Sequence, residues 1–194
     1  MSVPEHTQMA EQGFSRRHPV LSFFRTILGM ALLVFCLEQL TQRIGFLNEV
    51  QAVWWPTNGL ALALLLRSER RKWPMILTGV LLGSLLGEMY LHIPLANDVV
   101  NFAANLIGPL LGALLLPHFE KLEDWLQEPR LVSRFIGFAL LLAPMVSATI
   151  FATCIRAAGE GQRFLPTWVR RDVADMLGYA LFTPLVLALA SKET

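Results

Sequence analysis

Ionisable and amide side chains are sparse in this chain, and their spacing is the first sign of chemistry. Asp98, Asn101 and Asn105 recur at i, i+3 and i+7, which puts them on one stripe of a helix. Arg171 and Asp175 stand four apart, the spacing of an in-helix ion pair, and Asp172 precedes Asp175 by three. Glu38 and Glu88 each follow a continuous apolar run. Asn58 follows the turn Trp54-Trp55-Pro56-Thr57, and Arg156 and Arg170 add cations towards Arg171. Such groups recognise rather than react. Amides and arginines around a helix N-terminus suit a small anionic ligand, because unpaired backbone N–H groups and the helix dipole attract negative charge there. Nothing points to catalysis. His6, His18, His92 and His118 are scattered without metal-ligand spacing, and there is no phosphate-binding loop, nucleophile elbow, kinase signature or cyclase signature. No cofactor and no metal are expected.

Each residue also has a plainer reading. Asp98 and Asp172 could serve the first turns of their helices. Asn101 and Asn105 could bond neighbouring helices, Glu38 and Glu88 could sit among headgroups, and the tryptophans could be interfacial anchors. A common depth in the membrane is what would unite them.

The elements that must position these residues are membrane helices. Of 194 residues 54% are hydrophobic and 16% charged, against about 25% charged in ordinary soluble domains. The charges form islands separated by apolar stretches about as long as a bilayer is thick, roughly 20 residues. The fold class is therefore all-α, a polytopic transmembrane helical bundle of about six spans. They are expected near 19–40, 57–66, 74–93, 97–116, 133–155 and 168–190. Residues 1–17 read as a disordered cytoplasmic tail, 18–191 as an integral membrane domain, and 192–194 as the start of a linker to a cytoplasmic module. The polar stretch 117–130 is expected to hold an interfacial turn. Cys36 and Cys154 lie inside apolar runs and read as buried thiols, not a disulfide. A net charge of +1 gives no case for nucleic acid.

Most of the 16 lysines and arginines fall on the side of the two termini, which puts both termini in the cytoplasm. The stretch VWWPTNGLALALLLRSERRKWP then has a direction. Its basic block is the cytoplasmic stop. Its ten apolar residues rise only about 15 Å, too short to cross alone, so the WWPTNG turn must dip into the membrane. Pro56 suits the first helical turn and Asn58 its cap. Polar groups from several helices then share the outer half. The candidate ligand-binding residues are Glu38, Trp54, Trp55, Asn58, Glu88, Asn101, Asn105, Trp168, Arg171 and Asp175. Gly79, Gly83 and Gly87 form a small-residue stripe for close packing inside the bundle, and Pro109, Pro144 and Pro184 can kink their helices.

Two stretches, WWPTNGLALALLL with its basic turn and ADMLGYALFTPLVLAL near the end, carry a family likeness. In this order they resemble the type-one membrane-associated sensor (MASE) domain of bacterial signalling proteins. The family's aromatic-Pro-small-Gly entry falls on Trp55, Pro56 and Gly59, and its Asp-x-x-Gly-x-x-x-x-x-Pro helix on Asp175, Gly178 and Pro184. That family is often described with eight spans, two more than counted here. The resemblance implies an inner-membrane sensory input domain, not itself an enzyme. It would regulate a C-terminal output: a diguanylate cyclase, a cyclic di-GMP phosphodiesterase or a histidine kinase. By analogy it also implies a homodimer. A small-solute transporter, or a docking module that binds a membrane partner but no ligand, are the alternatives.

Overall fold

The protein is seen in a computed structural model that describes residues 19–44, 46–47, 51–52, 54–91, 95–118, 127–159 and 163–191. The tail 1–17, the linker residues 192–194 and the core of the expected interfacial turn, 119–126, lie outside them. Among the described residues there are six long helices: α1 (Pro19–Ile44), α2 (Pro56–Arg67), α3 (Trp73–Tyr90), α4 (Leu95–Leu115), α5 (Pro129–Ala157) and α6 (Phe164–Ser191). A two-residue antiparallel ladder, Phe46–Leu47 with Gln51–Ala52, lies between α1 and α2. A short 3-10 turn, Arg70–Lys72, joins α2 to α3.

Helix α2 is the centre. Every residue from Pro56 to Ala63 is buried, as are Leu65 and Leu66. It touches α1, α3, α4 and α6. A helix that is apolar on every side is one meant to be wrapped on every side, which explains the uninterrupted LALALLL. The outer helices show the converse. On α6, Leu165, Val169, Val173, Leu181, Leu185 and Leu189 are exposed at four-residue spacing, and on α1 so are Phe24, Leu28 and Leu32. Such stripes belong against lipid. Three helices, Phe23–Ile44, Pro129–Ala157 and Phe164–Ala190, are long and apolar enough to cross a membrane, and Val99–Leu115 is a shorter apolar helix. The count of six helices thus matches expectation, whereas length and composition support three crossings directly. With only 12 residues, α2 is about 18 Å long.

Hydroxyls along the helices find partners locally. Those of the buried Thr41 and the exposed Thr78 and Thr149 each donate to the carbonyl four residues back. Proline is accommodated by geometry. Before Pro144, helix α5 widens into a π-helical stretch, Phe135–Leu142, in which the Ala143 N–H reaches the Phe138 carbonyl. A proline ring clashes with the carbonyl four residues back and offers no donor, and the wider turn relieves both problems. Pro109 and Pro184 lie inside α4 and α6. Cys36 is exposed on α1, not buried as expected. A small apolar side chain facing lipid has no need of burial in protein.

Two sets of glycines fix the packing. Side-chain atoms at Gly79, Gly83 and Gly87 would run into Met30, Val34 and Glu38, so the stripe seats α3 on α1 within the bundle. A methyl group at Gly59 would overlap the Gly178 carbonyl, and one at Gly178 would overlap the Trp55 carbonyl. There α2 and α6 meet backbone to backbone. The Trp55 N–H donates to the Ala174 carbonyl at 3.1 Å, and the Thr183 hydroxyl to the Gly59 carbonyl at 3.1 Å. Gly178→Ala is therefore expected to destabilise the protein by about 1–3 kcal/mol through overpacking. Gly29, with nothing within 4 Å of an added Cβ, is the control. Gly29→Ala should be neutral or slightly stabilising, and thermal unfolding in detergent micelles measures both.

Candidate functional site

Asp175 on α6 is fully buried, and its carboxylate draws donors from three helices. Asn58 Nδ2 on α2 donates to Oδ1 at 2.9 Å. The Ser147 hydroxyl on α5 lies 3.0 Å from Oδ2 and 3.1 Å from the Ala104 carbonyl, either of which can take its proton. Arg171, one turn earlier on α6 and 8% exposed, donates from Nε to Oδ2 at 3.2 Å. The i, i+4 spacing thus does produce an ion pair, inside an apolar bundle where an uncompensated charge would be very costly.

Arg171 spends its remaining nitrogens on α4. Nη1 donates to Asn101 Oδ1 at 2.8 Å and Nη2 to Asn105 Oδ1. The guanidinium carbon also stands 5.7 Å from the Trp55 ring centroid and 5.0 Å from that of Phe151, where cation–π attraction adds about 0.5–2 kcal/mol. Asn101 Nδ2 in turn donates to Glu88 Oε1 on α3 at 2.6 Å. One connected network therefore joins α2, α3, α4, α5 and α6. Next to it, Ser84, one helical turn before Glu88, donates to Glu38 Oε1 on α1 at 2.5 Å. Both glutamates are buried, so the headgroup reading does not apply to them.

Of the ten expected site residues, Asn58, Glu88, Asn101, Asn105, Arg171 and Asp175 share this network, and Trp55 flanks it. Glu38 closes the adjoining α1–α3 seam. Trp54 packs on Phe182, with ring centroids 5.3 Å apart. Trp168 stands apart from the network, where its indole donates to the exposed Thr149 hydroxyl at 2.9 Å. Arg156 and Arg170 are exposed. Two expected caps are not caps. The N-cap of α2 is Trp55, without a side-chain bond; Asn58 is the third residue of the helix, past the cap position, and its amide donates to Asp175. Asp172 lies too far inside α6, which begins at Phe164, to serve its first turn. The side chain of Asp98 lies outside the described residues.

Ser147, Phe151 and Tyr179 belong to the site and were not singled out by the sequence. A serine or a phenylalanine in an apolar run carries no periodic signal. Tyr179 is fully buried one turn after Asp175, with its hydroxyl against Gly108.

Breaking a buried pair strands a charge, which typically costs about 3–5 kcal/mol. Arg171→Met and Asp175→Leu are each expected to lose stability of that order. The double variant should lose less than the sum, because neither charge is then left alone. Unfolding in micelles measures the cycle, and strictly additive losses would show that the two side chains do not depend on one another.

The MASE1 family model matches residues 20–192, nearly the whole chain. No curated protein and no solved structure matches it. The residues of the two resembling stretches are the ones that meet here: Trp55 and Gly59 on α2 against Asp175 and Gly178 on α6. On the strength of the family match, the chain belongs to MASE1, a family of membrane-associated sensor domains.

Proposed function

We propose that the Arg171–Asp175 cluster receives the stimulus of a bacterial sensory input domain, and that α6 passes its state to a cytoplasmic output module. That output is a diguanylate cyclase, a cyclic di-GMP phosphodiesterase or a histidine kinase. In this reading the domain crosses the inner membrane six times, both termini are cytoplasmic, and the cluster lies in the outer half. Outputs of these classes work in pairs, so a homodimer is part of the reading.

The supporting observation is a set of buried polar atoms with no hydrogen-bond partner among the described residues. They are Asn58 Oδ1, Asn105 Nδ2, Trp55 Nε1 and Tyr179 Oη. Their residues converge. Asn58 and Asn105 are joined through Asp175 and Arg171, Trp55 flanks Arg171, and the Tyr179 hydroxyl shares the surroundings of Gly108 with Ser147. Each unmade bond costs about 1–3 kcal/mol, so a molecule that supplies partners in one arrangement of the helices favours that arrangement. Arg171 and Asp175 neutralise one another, and each guanidinium nitrogen already has an acceptor. An anion therefore finds no free cation here. A small uncharged molecule with both donors and acceptors fits better.

Tyr179→Phe removes only an unpaired hydroxyl. In the full-length protein it should leave the fold at least as stable and shift basal output at least threefold, read as output product formed per unit of membrane protein. Unchanged output in both Tyr179→Phe and Arg171→Lys would overturn the reading.

A further inference from the structure

The other end of α2 holds a second, separate site. A cavity of about 250 Å³ opens between the end of α2, the 3-10 turn, the start of α3 and the end of α4. Its floor is aliphatic, made by the buried Leu65, Leu66, Ala113 and Leu116. One wall is the indole of Trp73. Its N–H is shared between the Leu65 carbonyl at 2.9 Å and the Ser68 carbonyl at 3.1 Å, which fixes the ring. The rim carries one acid and one guanidinium, the sequence neighbours Glu69 and Arg70, both exposed. The guanidinium carbon of Arg70 stands 5.5 Å from the centroid of the Trp73 ring, against that wall.

These groups are free to bind something else. Glu69 and Arg70 form no ion pair with one another or with any other described residue. The Ser68 hydroxyl, also at the cavity, makes no hydrogen bond among the described residues. A ligand with one sign of charge would satisfy only one of the two rim charges and lie beside its like. A polar ligand without an apolar part would leave the floor unused, and a purely apolar one would desolvate the rim without bonding to it. What fits is a small zwitterion with an aliphatic arm. Its carboxylate meets the planar fork of Arg70, which suits two parallel N–H···O bonds, and its ammonium meets Glu69. The volume lies below that of pockets for drug-sized molecules, roughly 300–1,000 Å³, so the whole ligand must be small. A free amino acid is the simplest molecule that carries both charges on one end and hydrocarbon on the other.

We infer that this cavity binds a free aliphatic α-amino acid of about the size of leucine. The carboxylate lies on Arg70 and the Ser68 hydroxyl, the ammonium on Glu69, and the side chain on Leu66 and Leu116. Exposed ion pairs are individually weak, so the apolar arm supplies most of the affinity and the two charges supply the selection. The site is distinct from the Arg171–Asp175 cluster, and the inference stands or falls without it.

Saturation-transfer NMR on the purified full-length protein in detergent micelles tests this, with empty micelles as the blank. The probes are L-leucine, L-alanine, isocaproate and leucinamide. Relative to leucine, the last three lack the aliphatic arm, the ammonium and the carboxylate respectively. Leucine should bind at least tenfold more tightly than alanine, and at least threefold more tightly than isocaproate or leucinamide. Glu69→Gln should weaken leucine at least threefold without weakening isocaproate, which has no ammonium to lose. Arg70→Gln should weaken leucine likewise without weakening leucinamide. Both positions are exposed, so neither change disturbs the core. Arg134→Gln, an exposed cation on α5 that does not line the cavity, should bind leucine as the wild type does. Equal binding of leucine and alanine would overturn the assignment. So would isocaproate or leucinamide binding as tightly as leucine, wild-type leucine affinity in both Glu69→Gln and Arg70→Gln, or no transfer to leucine at all.

Discussion

A carboxylate with no exposed surface, Asp175, sets the terms for the rest of the bundle. Burying that charge requires a cation and several hydrogen-bond donors, and no single helix can supply them. Asn58 comes from α2, Ser147 from α5 and Arg171 from α6 itself. The arginine brings a debt of its own, met by Asn101 and Asn105 on α4, and Asn101 then reaches Glu88 on α3. Each satisfied group thus recruits the next helix. The result is a specific arrangement in a medium where apolar packing alone discriminates poorly, because lipid tails compete equally for apolar side chains.

The same demand explains why α2 must approach α6 so closely. Asn58 is a short side chain, and it reaches Asp175 only if the two backbones nearly touch. Gly59 and Gly178 permit that approach, and the Trp55 N–H and the Thr183 hydroxyl bond across it. The family motif is accordingly a contact written in two halves. Its aromatic-Pro-small-Gly part is one face and its Asp-x-x-Gly part the other. At its far end α2 is finished by the Ser68 N–H, which bonds to the Leu64 and Leu65 carbonyls, and by the Trp73 indole, which adds a second donor to Leu65.

Much of this was legible in the sequence. Uninterrupted apolar residues in a segment too short to span marked α2 as a half-length helix entered from within the membrane; its enclosure by α1, α3, α4 and α6 is visible only in the structure. The i, i+4 spacing of Arg171 and Asp175 foretold the ion pair, and the Asn101–Asn105 stripe foretold a shared face. The glycine stripe of α3 foretold close packing. Other features carry no signal that one sequence can show. Ser147 is a lone hydroxyl in an apolar run. Asn58 reads as a cap beside Pro56, but the helix begins at Pro56, so Asn58 falls inside it and bonds to the buried carboxylate across the interface. Helix α6 begins at Phe164, four residues before the expected start near Trp168, and takes Pro166 into its first turn, where a proline is tolerated. Trp168 has an anchor's composition and turned out to be one side of a local α5–α6 contact. The number of crossings is a matter of length against bilayer thickness, and the short α2 and α3 leave it open to more than their apolarity decides.

The central place of α2 has a consequence for how the protein is made. Asn58 and Asp175 are 117 residues apart, and Gly59 and Thr183 are 124 apart. Chains emerge from the ribosome N-terminus first, so α2 is synthesised well before the helix it is built to meet. Until α6 arrives, the glycine face and the amide of Asn58 have nothing to close against, and α1, α3 and α4 must hold them. Biogenesis thus runs opposite to geometry: the innermost helix is among the first to be translated and the last to be fully enclosed.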